Sequence, residues 1–141
     1  MRFQLTRRAD YAIRAMLALA RIEEGERLSA RQIAAEQAIP ARFLPAIMGD
    51  LSRCGLVEAT IGRNGGYRLG RPAGDISLRA VIEAIEGDGR RERCVLRDGT
   101  CTSAEPCSAH EVFAAAQDGM LAALEAATMR DILTRAVGRP F

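Results

Sequence analysis

A mainly α-helical chain with one two-stranded β hairpin is what this sequence predicts, on three observations. There is no Trp and aromatics are 4% of the 141 residues, so the core must come from 25 Ala, 13 Leu and 10 Ile, which suits close-packed helices better than a β-sandwich. Several segments repeat apolar residues at helical spacing behind serine caps. One Asn-Gly pair separates two short segments of strand character. Apolar residues are 48% of the chain, which excludes wholesale disorder. The length fits one domain, or one with an appended arm. The longest apolar run, Ala15 to Ala20, is far too short to span a bilayer, and the first ten residues lack the apolar core of a signal peptide. A soluble cytoplasmic protein is expected.

Arg8–Ile22 reads as a helix that is apolar nearly all round, hence central and buried, with Asp10, Arg14 and Arg21 as its polar stripe. A loop over 23–27 follows. Ser29 and Gln32 form a capping box that opens a short helix through Glu36. A second helix is expected from about Ala41 to Ser52, with Pro45 in its first turn, where a missing amide costs little. Gly55 ends it, and Cys54 reads as a small core residue. Leu56–Ile61 and Tyr67–Leu69 read as strands joined by a turn over 62–66, in which Asn64 and Gly65 both tolerate positive φ. Helix, helix and a hairpin with Arg63 and Asn64 at its tip is the layout of a winged helix-turn-helix. Its second helix enters the major groove, and its tip reaches the backbone or minor groove.

After a linker over 70–75, Ser77 caps a helix with Leu78, Val81, Ile82 and Ile85 on one face. Residues 87–107 show no periodicity. Ser108 and Glu111 read as a capping box for a long helix to about Ala126, with Val112, Phe113, Ala116, Met120, Leu121, Leu124 and Ala127 along one side. Thr128–Asp131 starts a last helix. A small body has little room to cover so long a helix, so a two-fold dimer is expected, which suits a palindromic DNA site. The chain divides into a DNA-binding part (1–72), a linking helix and cysteine segment (73–107), and a dimerisation part (108–141).

All 20 basic residues are Arg. Residues 1–72 hold 12 Arg against 7 carboxylates, and residues 73–141 hold 8 against 11. A basic first half suits an anionic partner such as double-stranded DNA. The residues assigned to DNA contact are Arg7, Ser29, Arg31, Arg42, Phe43, Arg63 and Asn64. On the second helix Arg42, Pro45 and Ala46 take base-facing positions, and only Arg42 offers hydrogen bonds, plausibly to guanine.

Cys94, Cys101 and Cys107 fall in one segment, with His110, the only histidine, just beyond. Disulfides do not suit a cytoplasmic chain. Four soft or borderline donors this close point to a metal. Zinc usually takes paired Cys knuckles, which are absent. An iron–sulfur cluster accepts ligands spread along a loop, and a helix N-terminus favours its negative charge. Spacing therefore favours iron–sulfur over zinc, with a metal-free thiol switch third. No nucleotide-binding glycine motif and no second histidine for acid–base work are present, so an enzyme is not expected.

Taken in order, Leu5-Thr6, Asp10-Tyr11-Ala12-Ile13-Arg14, Gly55-Leu56-Val57, Gly65-Gly66-Tyr67-Arg68-Leu69, Ile76-Ser77-Leu78 and the three cysteines ahead of a long helix resemble the IscR/NsrR family of winged-helix transcription regulators, also called the Rrf-two family. The resemblance covers nearly the whole chain. It implies a homodimeric regulator, with repression the expected sense, whose operator affinity depends on an iron–sulfur cluster held by Cys94, Cys101 and Cys107. Iron–sulfur status, nitric oxide or redox stress would be the signal. For the fourth ligand it offers His110, as in members with a 2Fe–2S cluster, or Asp10 from the partner chain, as in members with a 4Fe–4S cluster; His110 is favoured. Alone, Asp10 reads as an ion-pair partner of Arg14 in a helix. The chain departs from the family pattern in its first cysteine interval, six residues instead of five. It departs again in the wing, where any minor-groove arginine is displaced to Arg63.

Overall fold

The computed structural model of the chain describes residues 4–88 and 106–136. Six α-helices and one hairpin follow in order among these residues: α1 (Arg7–Arg21), α2 (Ala30–Gln37), α3 (Leu44–Arg53), β1 (Val57–Thr60), β2 (Gly66–Leu69), α4 (Leu78–Glu86), α5 (His110–Ala126) and α6 (Met129–Ala136). This is the expected winged helix-turn-helix with a two-stranded wing and a long C-terminal helix.

Thr6 caps α1 by accepting the Ala9 amide at 3.2 Å. Ala9, Ala12, Ile13, Ala15, Met16, Leu17, Ala18 and Leu19 are all buried, so α1 is the central helix that its composition predicts. Alanines on several of its faces let α2, α3, α4 and α6 approach closely. The capping box of α2 forms as expected. Its C-cap, Ala38, sits in the left-handed region at φ 51°, the only described non-glycine residue to do so. That sharp turn lets the Ile39 amide bond the Ala34 carbonyl at 3.0 Å, and Ile39 is buried.

The second helix of the pair departs from expectation at its start. Residues Ala41–Phe43 form a 3₁₀ turn, and the α-helix begins at Leu44. The cause is Pro45. It has no amide to give the Ala41 carbonyl, so the Leu44 amide takes that carbonyl one residue early. Leu44, Ile47, Met48 and Leu51 then face the core. Gly55 ends the helix at φ 68°, as a C-terminal glycine should. Cys54 is exposed, which corrects its reading as a core residue. It lies past the last buried turn, outside the Leu44–Leu51 stripe.

The hairpin forms in the expected place by different chemistry. Its register pairs Val57 with Leu69 and Thr60 with Gly66, leaving residues 61–65 as the loop. Gly62 and Gly66 take the positive φ values, 114° and 140°, and Asn64 does not. With a five-residue loop, Asn64-Gly65 is not a two-residue turn; the Gly65 amide instead bonds the Gly62 carbonyl at 3.0 Å. Leu28 and Tyr67 exchange backbone hydrogen bonds of 3.0 and 2.8 Å, which tie the wing to the residue before the cap of α2.

Ser77 caps α4 through the Ala80 amide at 3.1 Å. Leu78 donates to the Ala127 carbonyl and Met129 to the Ile76 carbonyl, both at 2.8 Å, so the start of α4 and the α5–α6 corner are stitched together. The expected Ser108–Glu111 capping box is absent. Ala109 occupies the cap of α5 and no side chain caps it. The helix starts at His110, which leaves Ser108 one position too early to cap the free amides of the first turn. On α5 only Leu121 is buried, and Val112 is 71% exposed. Along its apolar side Phe113, Met120, Leu124 and Ala127 are half-buried, and Val112 and Ala116 remain exposed.

Thr128 and Asp131 cap α6 reciprocally. The Thr128 amide donates to the Asp131 carboxylate at 2.9 Å, and the Asp131 amide to the Thr128 hydroxyl at 3.2 Å. The side-chain and backbone hydrogen bonds from Thr128 hold the Asp131 carboxyl below its ordinary pKa of 3.8. A depressed carboxylate adds stability that is present above its ordinary pKa and is lost as pH falls through and below it. Thermal melts from pH 6 down to pH 2 will therefore show a steeper acid limb for the wild type than for Asp131→Asn. Thr128→Ala will cost about 1 kcal/mol of unfolding free energy by denaturant titration. In the wing, a Cβ on Gly66 would lie 2.8 Å from the Leu28 carbonyl oxygen at a φ that side chains avoid. Gly66→Ala will lose about 1–3 kcal/mol in the same titration.

Candidate nucleic-acid interface

The buried stripe of α3 fixes which residues its other face offers. Arg42 in the 3₁₀ turn and Pro45, Ala46, Gly49 and Arg53 on the helix are exposed together. Of the three residues expected to face bases, only Arg42 carries hydrogen-bond donors. Its guanidinium lies 4.9 Å above the Phe43 ring. Phe43 in turn meets Tyr11 of α1 at 5.5 Å between ring centroids, and the Arg14 guanidinium lies 5.3 Å from the Tyr11 ring. Stacking of this kind holds a long arginine in few rotamers, which lowers the entropy lost on binding.

Arg14 is engaged three ways. It pairs with Asp10, one turn earlier, and donates to the Gln37 carbonyl at 3.2 Å besides facing Tyr11. Its pKa is raised, chiefly by the hydrogen bond to the Asp10 carboxylate and against the desolvation of partial burial. Asp10 therefore occupies the ion-pair role that its spacing from Arg14 predicts. Asp50 clamps α3 to α1. Its carboxylate accepts Arg8 at 2.6 Å and also pairs with Arg53.

Ion pairing sorts the arginines. Arg8, Arg14, Arg53, Arg68 and Arg79 pair with carboxylates. Arg7, Arg31, Arg42 and Arg63 are exposed and make no ion pair among the described residues. These four belong to the set assigned to DNA from sequence; Arg21, Arg71, Arg130 and Arg135 are likewise exposed without an ion pair among the described residues. Arg63 and Asn64 stand on the exposed wing loop. Ser29 is partly committed, since its hydroxyl oxygen accepts the Gln32 amide at 3.2 Å to cap α2, leaving its proton to donate outward. Sequence reading missed the Phe43–Tyr11 contact and the Asp50 clamp across helices, because no local spacing signals either.

Of the four candidate metal ligands, Cys94 and Cys101 lie outside the described residues. The structure places Cys107 and His110 one turn apart at the start of α5, with the His110 amide donating to the Cys107 carbonyl at 3.0 Å. The described residues contain no group of three metal-ligating side chains. The approach to this segment is anchored, since the Thr6 amide at the head of α1 donates to Glu86 at the end of α4 at 2.8 Å.

Comparison with known proteins agrees with this layout. The Rrf2 family profile, described as iron-dependent transcriptional regulator, matches residues 5–135. The HTH-type transcriptional regulator NsrR of Geobacillus kaustophilus is 31% identical over 131 residues, spanning 92% of this chain and 89% of that protein. Among solved structures, CymR, titled the global cysteine regulator of B. subtilis, superposes with a TM-score of 0.78 at 22% identity, covering 95% of this chain and 98% of that one. IscR of T. potens superposes with a TM-score of 0.75 at 23% identity, covering 99% and 93%. At these identities the two structures show the shared fold. No helix among the described residues is long and apolar enough to cross a membrane.

The stacking geometry carries an expectation for Phe43. Phe43→Ala removes the ring beneath Arg42 and the contact with Tyr11, so sequence-specific DNA affinity will fall by about 1–2 kcal/mol in anisotropy titrations. Phe43→Tyr, which keeps the ring, will stay close to wild type.

Proposed function

The chain belongs to the Rrf2 family of transcriptional regulators, and we propose that it acts as a homodimeric, sequence-specific DNA-binding repressor that responds to iron–sulfur or redox status. The observation that carries the DNA-binding reading is the exposed α3 face. There Arg42 is presented on an aromatic ring without an acid partner, while the arginines around it are neutralised. An unpaired guanidinium in this place suits bidentate recognition of guanine, Arg31 suits phosphate contact, and Arg63 on the wing suits the backbone or minor groove. A palindromic operator follows from a two-fold dimer. The exposed part of the α5 apolar side supports that dimer: pairing two copies would bury Val112 and Ala116, one turn apart.

The sensing part rests on the donor set. Cys94, Cys101, Cys107 and His110 would hold a 2Fe–2S cluster, whose bound iron and sulfide supply sensitivity to oxidants, nitric oxide and iron supply. Two observations support the fit. Cys107 and His110 stand together at a helix N-terminus that no side chain caps, where the helix dipole favours thiolate charge. The alternative fourth ligand, Asp10, is held by Arg14, which would first have to release it. The cysteine segment runs between α4 and α5, and Glu86 at its head bonds the first turn of α1. A change in segment order thus reaches the helix on which α3 is packed. A coupling of only about 1–3 kcal/mol would change operator occupancy several-fold or more. The fold shared with a cysteine regulator supports a second reading, a zinc-stabilised or thiol-switch DNA-binding protein without a cluster.

Protein purified without oxygen will be coloured and contain iron and acid-labile sulfide in equal amounts, with two irons per chain. Four irons per chain would move the fourth ligand to Asp10. A colourless, zinc-loaded protein would establish the second reading. His110→Ala will alter the visible spectrum and Asp10→Asn will not. Arg42→Ala will weaken operator binding by about 1–3 kcal/mol and relax preference at one base pair, checked by titration against single-substitution duplexes.

A further inference from the structure

Two large apolar side chains stand out in the solvent among the described residues, Val112 and Ile61. Val112 lies on α5, where a second copy would cover it. Ile61 is 99% exposed and sits where the wing loop begins. The fold of the chain does not use it. It makes no packing contribution and is the least soluble residue of an otherwise polar tip.

We propose that Ile61 is an apolar wedge that enters the minor groove beside each half-site and partly unstacks one base step. This rests on the DNA-binding reading and adds to it a contact that is neither phosphate pairing nor base-edge hydrogen bonding. Three features of the tip carry it. First, the loop closes tightly where it meets the strands. A Cβ on Gly65 would lie 2.3 Å from the Thr60 carbonyl oxygen and one on Gly66 2.8 Å from that of Leu28. Glycine at both positions lets the loop close tightly on the strand ends, and the Leu28–Tyr67 backbone pair ties the ribbon to the body. Second, Ile61 is β-branched, so its side chain has few rotamers to lose on insertion. Wedges that pry apart base steps from the minor groove are apolar side chains, isoleucine among them. Third, the neighbours select the partner. Arg63 is exposed without an ion pair among the described residues, and Asn64 offers an amide beside it. Arginine and asparagine suit the narrow, negatively charged minor groove and its acceptor-rich floor. A second copy of the same tip would instead bring two uncompensated arginines together.

The test uses the full-length protein and a duplex it enriches from a random-sequence library. 2-Aminopurine replaces each adenine of the duplex in turn, and circularly permuted copies report the bend. Wild type is expected to bend the duplex and to raise 2-aminopurine fluorescence at a step flanking each half-site. Ile61→Ala is expected to bind about tenfold more weakly, with a smaller bend and no fluorescence rise. Its salt dependence should match wild type, because no phosphate contact is lost, whereas Arg63→Ala should lower the salt slope by about one. Ile61→Met should keep the bend. The thermal midpoint of Ile61→Ala should equal that of wild type, since the side chain touches nothing in the fold. Ile61→Ala binding within twofold of wild type, or bending the duplex equally, overturns the wedge. Failure of the library to enrich any duplex overturns the DNA-binding reading itself, and the wedge with it.

Discussion

Helix α1 is packed on by α2, α3, α4, α6 and β2, and this one burial governs the placement of everything else. A chain with no Trp, four Phe and two Tyr cannot fill a core with a few large side chains. It fills it instead by bringing helices close across alanines, with Met16, Leu17, Ile47, Met48, Leu51 and Met129 in the remaining space. Close helix approach is unforgiving of volume change, so a shift at one contact is passed to the next helix and not absorbed. Polar and ring contacts also join α1 to the end of α4, where Glu86 accepts the Thr6 amide at the head of α1, and to α3, through Arg8 with Asp50 and Tyr11 with Phe43.

The surface follows from the same arrangement. Carboxylates on α1 and α3 neutralise Arg8, Arg14 and Arg53; only Arg8–Asp50 crosses between helices and orients α3 on α1, and each pair adds little stability because it is partly exposed to water. Arginines without such partners remain as the cations a phosphate backbone would meet. The net charge of +2 conceals this sorting. What matters for an anionic partner is which guanidinium groups stay uncompensated on one face, a quantity that depends on side-chain partners and not on composition.

Much of the candidate site was legible from residues close together in the chain. The capping box at Ser29, the proline in the first turn of α3, the glycine behind Cys54 and the cap at Ser77 all act within about four residues, and each was found where its spacing placed it. The readings that went astray had a local signal whose outcome was decided elsewhere. Ser108 and Glu111 have the spacing of a cap, but the backbone turn from Cys107 to His110 starts the helix one residue later. Asn64-Gly65 has the composition of a tight turn, but the Thr60–Gly66 pairing lengthens the loop and gives the positive φ to Gly62 and Gly66. Cys54 has the chemistry of a core residue, but the α3 stripe ends before it.

By itself, then, the sequence determined the order of helices and strands, the alanine-rich central helix, the exposed arginine at the head of α3 and the cysteine-bearing segment between α4 and α5. Those features depend on periodicity, caps and residue chemistry, which act over one or two turns. Only the tertiary structure decided where α3 and α5 begin, which arginines are paired, that Arg42 rests on Phe43, and that Ile61 has nothing to pack against. Several contacts behind these outcomes join residues distant in the chain, such as Arg8 with Asp50, Leu28 with Tyr67 or Tyr11 with Phe43, while the Arg42–Phe43 stack and the starts of α3 and α5 were settled by the local backbone path. Such contacts exist only once α1 has drawn the other helices onto itself.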